Sequence, residues 1–272
     1  MLSHNLLEGK RGLIFGALNE KSLAWAVAKQ CYAEGAALVL TNSPIALRMG
    51  STQQLGDEIG APVIEADATS TDDLKRLLSE TQAALGGKID FVLHAVAMSQ
   101  NMRRGRAYEN LDYKYMQQTL DVSALSFHKF LQTAYQSDAI AEYGSVVALS
   151  YMAAQRAFHE YDDMADAKAL LESITRNFGL VYGKKRHVRV NTISQSPTLT
   201  TAGSGIEGFN RFVNIADQTA PLGNASSEEL AQMCVMMFSD YTRKVTMQNI
   251  FHDGGFSSVG IQLQETDFLK QS

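Results

Sequence analysis

Short apolar runs alternate along the chain with longer segments in which apolar residues recur every three or four positions. Such runs are typical of strands that are buried on both faces, and the segments between them are typical of the helices that connect parallel strands. We therefore predict one α/β domain over residues 1–272, a doubly wound parallel sheet of about seven strands with helices on both faces. The predicted strands lie at Gly12–Phe15, Ala37–Leu40, Pro62–Ile64, Phe91–Leu93, Ser145–Leu149, Val188–Val190 and Asn249–Phe251.

The segment after the fifth predicted strand has the clearest helical period. Its apolar residues are spaced alternately by three and four, which places one apolar stripe along a helix. The stripe consists of Met164, Ala167, Leu171, Ile174, Phe178 and Val181. We expect the helix to end at Gly183, and we interpret the basic run Lys184–Arg186 as cations that stabilise its C-terminus, in preference to a binding patch.

Composition excludes several classes of protein. Hydrophobic residues make up 45% of the 272 residues and charged residues 19%, so the chain can bury a core and is not disordered. Lys and Arg number 24 against 29 Asp and Glu, a net charge of -5, whereas nucleic-acid binding needs a basic balance. The two cysteines, Cys31 and Cys234, cannot form a disulfide framework or a zinc site alone. The sequence predicts neither a signal peptide nor an apolar run of membrane-spanning length. We expect a cytoplasmic protein without nucleic-acid, metal or membrane-spanning sites.

The first predicted strand leads through the turn Gly16–Ser22 into a helix. Backbone N–H groups and the positive end of the helix dipole meet at such a turn and suit a pyrophosphate, as in a Rossmann-type dinucleotide site. The usual Gly-x-Gly-x-x-Gly is absent: only Gly16 is present, and Ser22 stands at the helix start, where its hydroxyl would cap the helix and face a phosphate. Dinucleotide binding and an ordinary strand-to-helix turn are both open at this point.

Two further positions concern the identity of a bound nucleotide. The second predicted strand ends in Thr41–Pro44, without the acidic residue that holds the adenosine ribose in a typical NAD site and without an adjacent Arg for a 2′-phosphate. These residues therefore do not distinguish NADH from NADPH. Asp67, after the third strand, is interpreted as a turn cap, with a hydrogen bond to the adenine amine as the alternative.

Tyr161 and Lys168 are seven residues apart on the helix of the apolar stripe. Seven steps of 100° leave them about 20° apart on one face, separated by a rise of roughly 10.5 Å. Both side chains can then converge on a ligand at the carboxyl edge of the sheet, the lysine on ribose hydroxyls and the phenol as a donor to oxygen charge that develops in a reaction. An ordinary helical pair with both tips in water is the alternative.

A third residue adds a family resemblance, because Tyr151, Tyr161 and Lys168 follow one another at intervals of ten and seven. In this signature the chain resembles the enoyl-acyl-carrier-protein reductases of the FabI type, a divergent branch of the short-chain dehydrogenase/reductase superfamily, in the form found in Bacteroidetes-type bacteria. The resemblance continues in order through Gly16–Ser22, Val188–Ser194, Pro197–Ile206 and His252–Phe256. Ordinary members of the superfamily need a lysine four residues after the tyrosine, but Ala165 stands there, which disfavours a ketoreductase.

The resemblance implies NADH-dependent reduction of the carbon–carbon double bond of trans-2-enoyl thioesters in bacterial fatty-acid elongation, with NADPH not excluded. In that reaction a hydride goes to the β-carbon, the thioester oxygen takes negative charge as an enolate, and protonation at the α-carbon follows. Three catalytic residues are implied. Tyr161 matches the tyrosine that hydrogen-bonds the enolate oxygen, Lys168 the lysine that holds the nicotinamide ribose, and Tyr151 the tyrosine near the thioester.

The same resemblance implies a set of contacts with cofactor, substrate and partners. The family's cofactor positions are held by Gly16, Ser22, Leu23, Ser43, Asp67, Ala68, Val96, Lys168 and Thr198. Its substrate positions are held by Ala97, Ser99, Tyr151, Tyr161, Met164, Ala202 and Ile206, and its flexible substrate-binding loop by residues 198–212, with Phe209 and Phe212 as further lining. The implied partners are an acyl carrier protein bearing the enoyl thioester and, in a homotetramer, further copies of the chain.

Some positions depart from the family pattern. The family usually has His-Ser-Ile-Gly after the fourth strand, whereas this chain has His94–Ala97, and the methyl group of Ala97 narrows the space beside the nicotinamide. Aspartates at 162, 163 and 166 make the start of the long helix unusually acidic. The basic segment Arg103–Arg106 is either a contact for an acidic carrier protein or a solvated loop. Two alternative functions are a 3-ketoacyl or carbonyl reductase of the same superfamily and a dinucleotide-binding paralogue without catalytic activity.

Overall fold

The chain folds around one parallel β-sheet, seen in a computed structural model that describes residues 3–158, 160–200 and 209–260. Within those residues the sheet has seven strands in the order β3-β2-β1-β4-β5-β6-β7, and every neighbouring pair is parallel. The fold class and the predicted strands are confirmed. The strands are β1 Arg11–Phe15, β2 Ala37–Asn42, β3 Val63–Glu65, β4 Ile89–His94, β5 Ile140–Ser150, β6 Arg189–Gln195 and β7 Asn249–His252.

Helices cover both faces of the sheet. They are α1 Leu23–Ala33, α2 Pro44–Met49, α3 Thr52–Ile59, α4 Thr71–Leu85, α5 Gln100–Arg103, α6 Tyr113–Leu120, α7 Ser126–Gln136, α8 Asp162–Arg186, α9 Phe209–Thr219 and α10 Ser227–Phe238. Leu13 and Phe15 of β1 belong to the core formed with α4, α7 and α8, whereas Ile14 between them belongs to the core formed with α1, α3 and α10. Because both faces are buried, the strands read as continuous apolar runs without alternation.

The strand order places a crevice at the carboxyl edge of the sheet. β1 pairs with β2 on one side and with β4 on the other, so the connections leave β1 in opposite directions. In open α/β sheets ligands bind at this switch point, outside the carboxyl ends of the strands. The turns after β1 and β4 therefore lie where a ligand would be held.

One turn of π-helix, Asp121–Leu125, joins α6 to α7 without a loop. A π-helical turn widens a helix locally and occurs often at functional sites. Here it presents Ser123 to the segment that leaves β4. The hydroxyl of Ser123 accepts a hydrogen bond from the Met98 N–H at 3.0 Å and donates one to the Met98 carbonyl at 3.1 Å. The turn thus fixes the backbone that follows β4.

Helix α8 differs from the prediction at both ends. It begins at Asp162, so Tyr161 is the N-cap residue (φ -100°, ψ -10°) and lies just outside the helix. It also passes through Gly183 and ends at Arg186, with His187 in the left-handed conformation at φ 57°. The predicted end at Gly183 is therefore wrong, because one glycine costs a helix only about 1 kcal/mol. The basic residues Lys184–Arg186 do occupy the last turn, as predicted.

The apolar stripe of α8 also shifts near its end. Met164, Ala167, Leu171 and Ile174 are buried, but Val181 is 42% exposed and Tyr182 is fully buried in its place. The Tyr182 hydroxyl donates a hydrogen bond to the Leu131 carbonyl at 2.9 Å, so this residue is attached to α7. Among the described residues, no helix is both long and apolar enough to cross a membrane.

Candidate active site

A cavity of about 610 Å³ opens at the carboxyl edge of the sheet, beside the turns that follow β1 and β4. It collects residues from the ends of β2, β5 and β6 and from the start of α8. Most of the site residues expected from the sequence lie in its lining: Gly16, Ser22, Leu23, Ser43, Val96, Ala97, Ser99, Tyr151, Tyr161, Met164, Lys168 and Thr198. Phe212 of α9 also lines it.

Four expected residues are not found there. Asp67 and Ala68 lie outside the lining; Asp67 accepts hydrogen bonds from the N–H and the hydroxyl of Thr69, both at 2.8 Å. This is the turn-capping geometry that the sequence favoured for Asp67. Ala202 and Ile206 lie outside the described residues, as do the side chain of Phe209 and most of the expected loop 198–212.

The turn after β1 brings two backbone segments close together. Gly16 has φ +93°, and a Cβ atom at this position would lie 2.2 Å from the carbonyl oxygen of Ala95. No other residue type fits, because both the conformation and the space require glycine. The close approach keeps the turns after β1 and β4 side by side, open toward the cavity.

Ser22 is the N-cap residue of α1, as predicted, but its hydroxyl makes no capping hydrogen bond. The hydroxyl instead accepts hydrogen bonds from the N–H groups of Leu18 and Asn19 at 3.1 and 3.3 Å and closes the turn. The first N–H groups of a helix have no partner within the helix, so the start of α1 presents donors and a positive dipole end toward the cavity. This arrangement can hold a pyrophosphate without the missing glycines.

The end of β2 presents neutral polar groups. Asn42 and Ser43 line the cavity, and Ser43 caps α2 by accepting a hydrogen bond from the Ala46 N–H at 3.3 Å. Arg48, the nearest arginine in sequence, is exposed and does not line the cavity. The end of β2 therefore offers hydrogen-bonding groups to ribose hydroxyls and no positive charge to a 2′-phosphate.

Lys168 is buried at the floor of the cavity, with 6% of its surface exposed. Its ammonium group donates a hydrogen bond to the Leu149 carbonyl at 2.7 Å. Burial lowers the pKa of Lys168 to about 8, and the charge of Glu172 opposes part of this shift. The alternative of a lysine whose tip lies in water is therefore wrong.

Glu172, one turn after Lys168, is a buried carboxylate that the sequence analysis missed. One of its oxygens accepts from the Ser150 hydroxyl at 2.8 Å, and the other accepts from the Gln155 side-chain amide at 2.7 Å. Ser150 ends β5 and Gln155 follows Tyr151 in the next turn. Glu172 thus supplies negative charge near Lys168 and fixes the turn that carries Tyr151.

Tyr151 and Tyr161 lie side by side in the lining of the cavity, with ring centroids 4.8 Å apart. The hydroxyl of Tyr151 is buried and has no hydrogen-bond partner within the described residues. Burial raises the pKa of both phenols, and the neighbouring Tyr161 and Asp253 raise that of Tyr151 further. Both hydroxyls are therefore protonated near neutral pH and able to donate hydrogen bonds. A bound ligand can supply the partner that the Tyr151 hydroxyl lacks among the described residues.

Phe158, between the two tyrosines in sequence, was missed because it belongs to no periodic segment. Its ring centroid lies 5.2 Å from those of Tyr151 and Phe212, so it completes an aromatic group on one side of the cavity. Met98 and Met102 of the segment after β4 also line the cavity. Long apolar side chains of this kind suit an acyl chain.

His94, at the end of β4, lies behind the cavity. It is 2% exposed and packs between Phe15 and Phe127. Its Nε2 lies 3.1 Å from the Ser126 hydroxyl. Burial and the charge of Lys168 lower the pKa of His94 to about 3, so the imidazole is neutral and has a structural role.

The residues present fit a dinucleotide. Gly16 leaves space that a Cβ atom would fill, the start of α1 offers N–H donors, and the unpartnered Tyr151 hydroxyl and the Lys168 ammonium face the same cavity. Such an arrangement can position a dinucleotide and, beside it, stabilise negative charge on a substrate oxygen.

Comparisons with known proteins identify similar chains. Residues 16–257 match the family model described as enoyl-(acyl carrier protein) reductase. "Enoyl-[acyl-carrier-protein] reductase [NADH] 1" of Rhizobium meliloti is 33% identical over 94% of this chain and 93% of its own length. "Enoyl-[acyl-carrier-protein] reductase [NADH] FabI" of Rickettsia bellii is 32% identical over 95% and 98%. Among solved structures, the FabI–NADH complex from Alistipes finegoldii has a TM-score of 0.94 and 56% identity, and covers 95% of this chain and 92% of that one.

Proposed function

The chain belongs to the enoyl-[acyl-carrier-protein] reductase family, and we propose on this premise that it reduces the carbon–carbon double bond of trans-2-enoyl thioesters on acyl carrier protein, with NADH, in fatty-acid elongation. The observation that carries the proposal is that Tyr161 and the buried Lys168 line one cavity with the glycine turn after β1. The neutral end of β2 favours NADH over NADPH, because a 2′-phosphate would find no counter-charge at Asn42 or Ser43.

The cofactor is held along the carboxyl edge of the sheet. The turn at Gly16, Ser22 and Leu23 binds the pyrophosphate, Ser43 the adenosine ribose, and Val96 and Thr198 the nicotinamide end. Lys168 binds the nicotinamide ribose through its ammonium group. When bound, NADH supplies the hydride that is added to the β-carbon of the substrate.

Tyr161 stabilises the charge that develops on the substrate. The thioester oxygen becomes an enolate oxygen, and the Tyr161 hydroxyl donates a hydrogen bond to it. Its raised pKa keeps the proton on the phenol near neutral pH, so the group is a donor throughout. Lys168 adds positive charge on the same side of the cavity, and Tyr151 supplies a second phenol close to the thioester.

The acyl chain lies against the wall formed by Ala97, Ser99, Met102 and Met164. The hydroxyl of Ser99 is fully engaged with the protein, so Ser99 contributes shape to this wall. We also propose that Ala202 and Ile206 of the loop 198–212, most of which lies outside the described residues, contribute to substrate binding. The methyl group of Ala97, in place of the usual glycine, narrows the pocket beside the nicotinamide.

The basic segment Arg103–Arg106 is the docking contact for the acidic carrier protein. Arg103 lines the cavity mouth, Arg104 lies over the Tyr115 ring at 5.0 Å, and none of the three arginines forms an ion pair among the described residues. Unpaired cations beside the entrance suit an acidic partner whose arm must enter the cavity. Arg104→Glu should therefore raise KM for an enoyl thioester on the carrier protein and leave KM for the N-acetylcysteamine thioester unchanged. Lys244→Glu, an exposed lysine that precedes β7, is the matched control.

NADH oxidation followed at 340 nm tests the reaction. We expect oxidation with crotonyl thioester and NADH, slower oxidation with NADPH, and none with a 3-ketoacyl thioester. A folded protein that oxidises neither cofactor with an enoyl thioester would refute the proposed function, and activity with the 3-ketoacyl thioester alone would favour a carbonyl reductase.

The assembly and location are part of the proposal. The chain acts as a homotetramer in the cytoplasm. Light scattering on the eluting peak of a gel-filtration column should give a mass about four times 29.8 kDa. A mass of one or two chains at working concentration would contradict the tetramer.

A further inference from the structure

Asp163 is a fully buried carboxylate two residues after Tyr161, in the first turn of α8. Three side chains donate hydrogen bonds to it: the Ser99 hydroxyl at 2.7 Å, the Asn101 amide nitrogen at 2.7 Å and the Thr119 hydroxyl at 2.9 Å. The Thr119 hydroxyl shares its one proton with the Tyr115 carbonyl, which lies at 3.0 Å. No ion pair among the described residues involves Asp163. The positive end of the helix dipole at the start of α8 also favours a negative charge at this position.

Two of the three donors, Ser99 and Asn101, are fixed by hydrogen bonds to the backbone of the segments beside the cavity. Ser99 caps α5, since its hydroxyl accepts a hydrogen bond from the Met102 N–H at 3.0 Å. Asn101 holds the start of α6, because its amide nitrogen donates to the Asp112 carbonyl at 3.2 Å and its oxygen accepts from the Asp112 N–H at 3.1 Å. The orientation of the Asn101 amide is thereby set, and only its nitrogen can face Asp163.

The attached segments carry side chains that touch the catalytic tyrosine. Met102 of α5 and Met164 of α8 form a small apolar cluster with Leu120 and Tyr161. Met102, Met164 and Tyr161 all line the cavity. Movement of α5 and α6 away from α8 would therefore release the ring of Tyr161 on one side and widen the acyl pocket.

A buried carboxylate is a costly way to join helices, because an apolar side chain of similar size often stabilises a protein equally well. The carboxylate differs from an apolar side chain in that its hydrogen bonds are directional. Its two oxygens accept three charge-assisted hydrogen bonds in fixed positions, whereas apolar contacts would let the same helices slide.

We propose that Asp163 is a positioning residue of the reductase, whose carboxylate holds the α5–α6 wall against α8 and thereby sets the orientation of Tyr161 and the shape of the acyl pocket. The proposal rests on the proposed function for its kinetic readout and on the contacts of Asp163 for its structural one.

Kinetics of three variants with an enoyl thioester and NADH test the proposal. Asp163→Ala should lower kcat/KM for the thioester by about 10-fold to 100-fold, since a misplaced catalytic group has effects of this size, while Kd for NADH changes less than about twofold. Asp163→Asn should lose less, because its oxygen can still accept from Asn101 and Thr119 while its nitrogen faces Ser99. Asp166→Asn is the matched control, since this residue of the same helix bonds the exposed Tyr108 and should leave kcat/KM unchanged.

A cycle with Thr119→Val separates positioning from general loss of stability. Thr119→Val should lower kcat/KM, and adding it to Asp163→Ala should cause little further loss, because both remove the same attachment. Additive losses, or equal losses in Kd for NADH, would overturn the proposal. So would wild-type kinetics in folded Asp163→Ala protein.

Hydrogen exchange supplies a readout that does not need activity. Asp163→Asn and Thr119→Val should increase amide exchange in segments 99–106 and 112–120 and leave β1 unchanged, with Asp166→Asn like wild type. Unchanged exchange in those segments would overturn the proposal even if Asp163→Ala fails to fold. Inactive wild-type protein with the expected exchange pattern would refute the proposed function and not the attachment.

Discussion

Replacing Lys168 by Met should make the unliganded protein more stable at pH 7 while removing tight cofactor binding. Lys168 is 6% exposed, and burial lowers its pKa from 10.5 to about 8. The protein therefore maintains a buried charge near neutral pH that costs it stability. Bound NADH compensates, because the ammonium group then has ribose hydroxyls as partners.

The magnitude follows from the difference between the two pKa values, 10.5 and about 8. At about 1.4 kcal/mol per pH unit, keeping the charge at pH 7 costs about 3 kcal/mol. Loss of the hydrogen bond to the Leu149 carbonyl offsets about 1 kcal/mol, so Lys168→Met should gain about 2 kcal/mol. Between pH 8 and pH 10.5 Lys168 is protonated in the unfolded chain but largely neutral in the folded protein, so wild-type stability rises with pH relative to the variant. The stability advantage of Lys168→Met vanishes at about pH 10.

Urea unfolding of both proteins without cofactor, at several pH values from 7 to 10, measures this difference. Comparing the two proteins cancels other groups that titrate in the same range, such as the buried tyrosines and cysteines. Lys244→Met, at an exposed lysine, should stay within about 0.5 kcal/mol of wild type throughout. A Lys168→Met protein that is less stable at pH 7, or whose advantage does not change with pH, would refute the reasoning.

Three other changes have defined outcomes. Tyr161→Phe should lower kcat by about 100-fold to 1000-fold with little change in KM for NADH, and stopped-flow NADH oxidation would show this loss in the chemical step. Gly16→Ala should weaken NADH binding by at least about 10-fold, as measured by fluorescence titration. The reason is that alanine would be strained at φ +93° and its Cβ atom would lie 2.2 Å from the Ala95 carbonyl oxygen. Glu34→Gln should destabilise the fold by about 2 kcal/mol, because one oxygen of the Glu34 carboxylate accepts hydrogen bonds from the N–H groups of both Leu6 and His4, and a neutral amide oxygen accepts them more weakly. Burial alone would raise the pKa of Glu34, but those hydrogen bonds hold it below its usual value. The stabilisation is therefore present at neutral pH and is lost on acidification through that pKa. Equal stability of the variant and the wild type at pH 7 would contradict this prediction.

The sheet was predictable because its signal is local. The inner strands of the sheet are buried on both faces, so an apolar run such as Phe91–Leu93 appears directly in the sequence. The ends of α8 were less predictable. Gly183 is tolerated inside the helix because Tyr182 is attached to α7, and His187 ends the helix in a conformation that glycine would ordinarily supply. Tertiary contacts decided both points.

The candidate site was predictable where residue types and spacing carry chemistry, as for Tyr161 and Lys168. Glu172 and Asp163 were not found as functional residues, because a buried carboxylate on a helix has the same sequence signal as a solvated one. Their partners, such as Ser150 and Thr119, are distant in sequence and are brought to them only by the fold. Ser22 shows the opposite case: its position was predicted, but its hydroxyl closes the turn behind it.

The π-helical turn Asp121–Leu125 limits how the acyl pocket can be redesigned, because the number of residues in this turn cannot change freely. Deleting one residue there would restore a regular α-helix, and would turn all of α6 by about 100° and shift it by about 1.5 Å relative to α7. Thr119 would then leave Asp163, and one deletion would displace a whole wall of the cavity. Substitutions at Val122, whose side chain lines the cavity, change the pocket without moving its frame. In this part of the protein the number of residues is constrained more strongly than their identity.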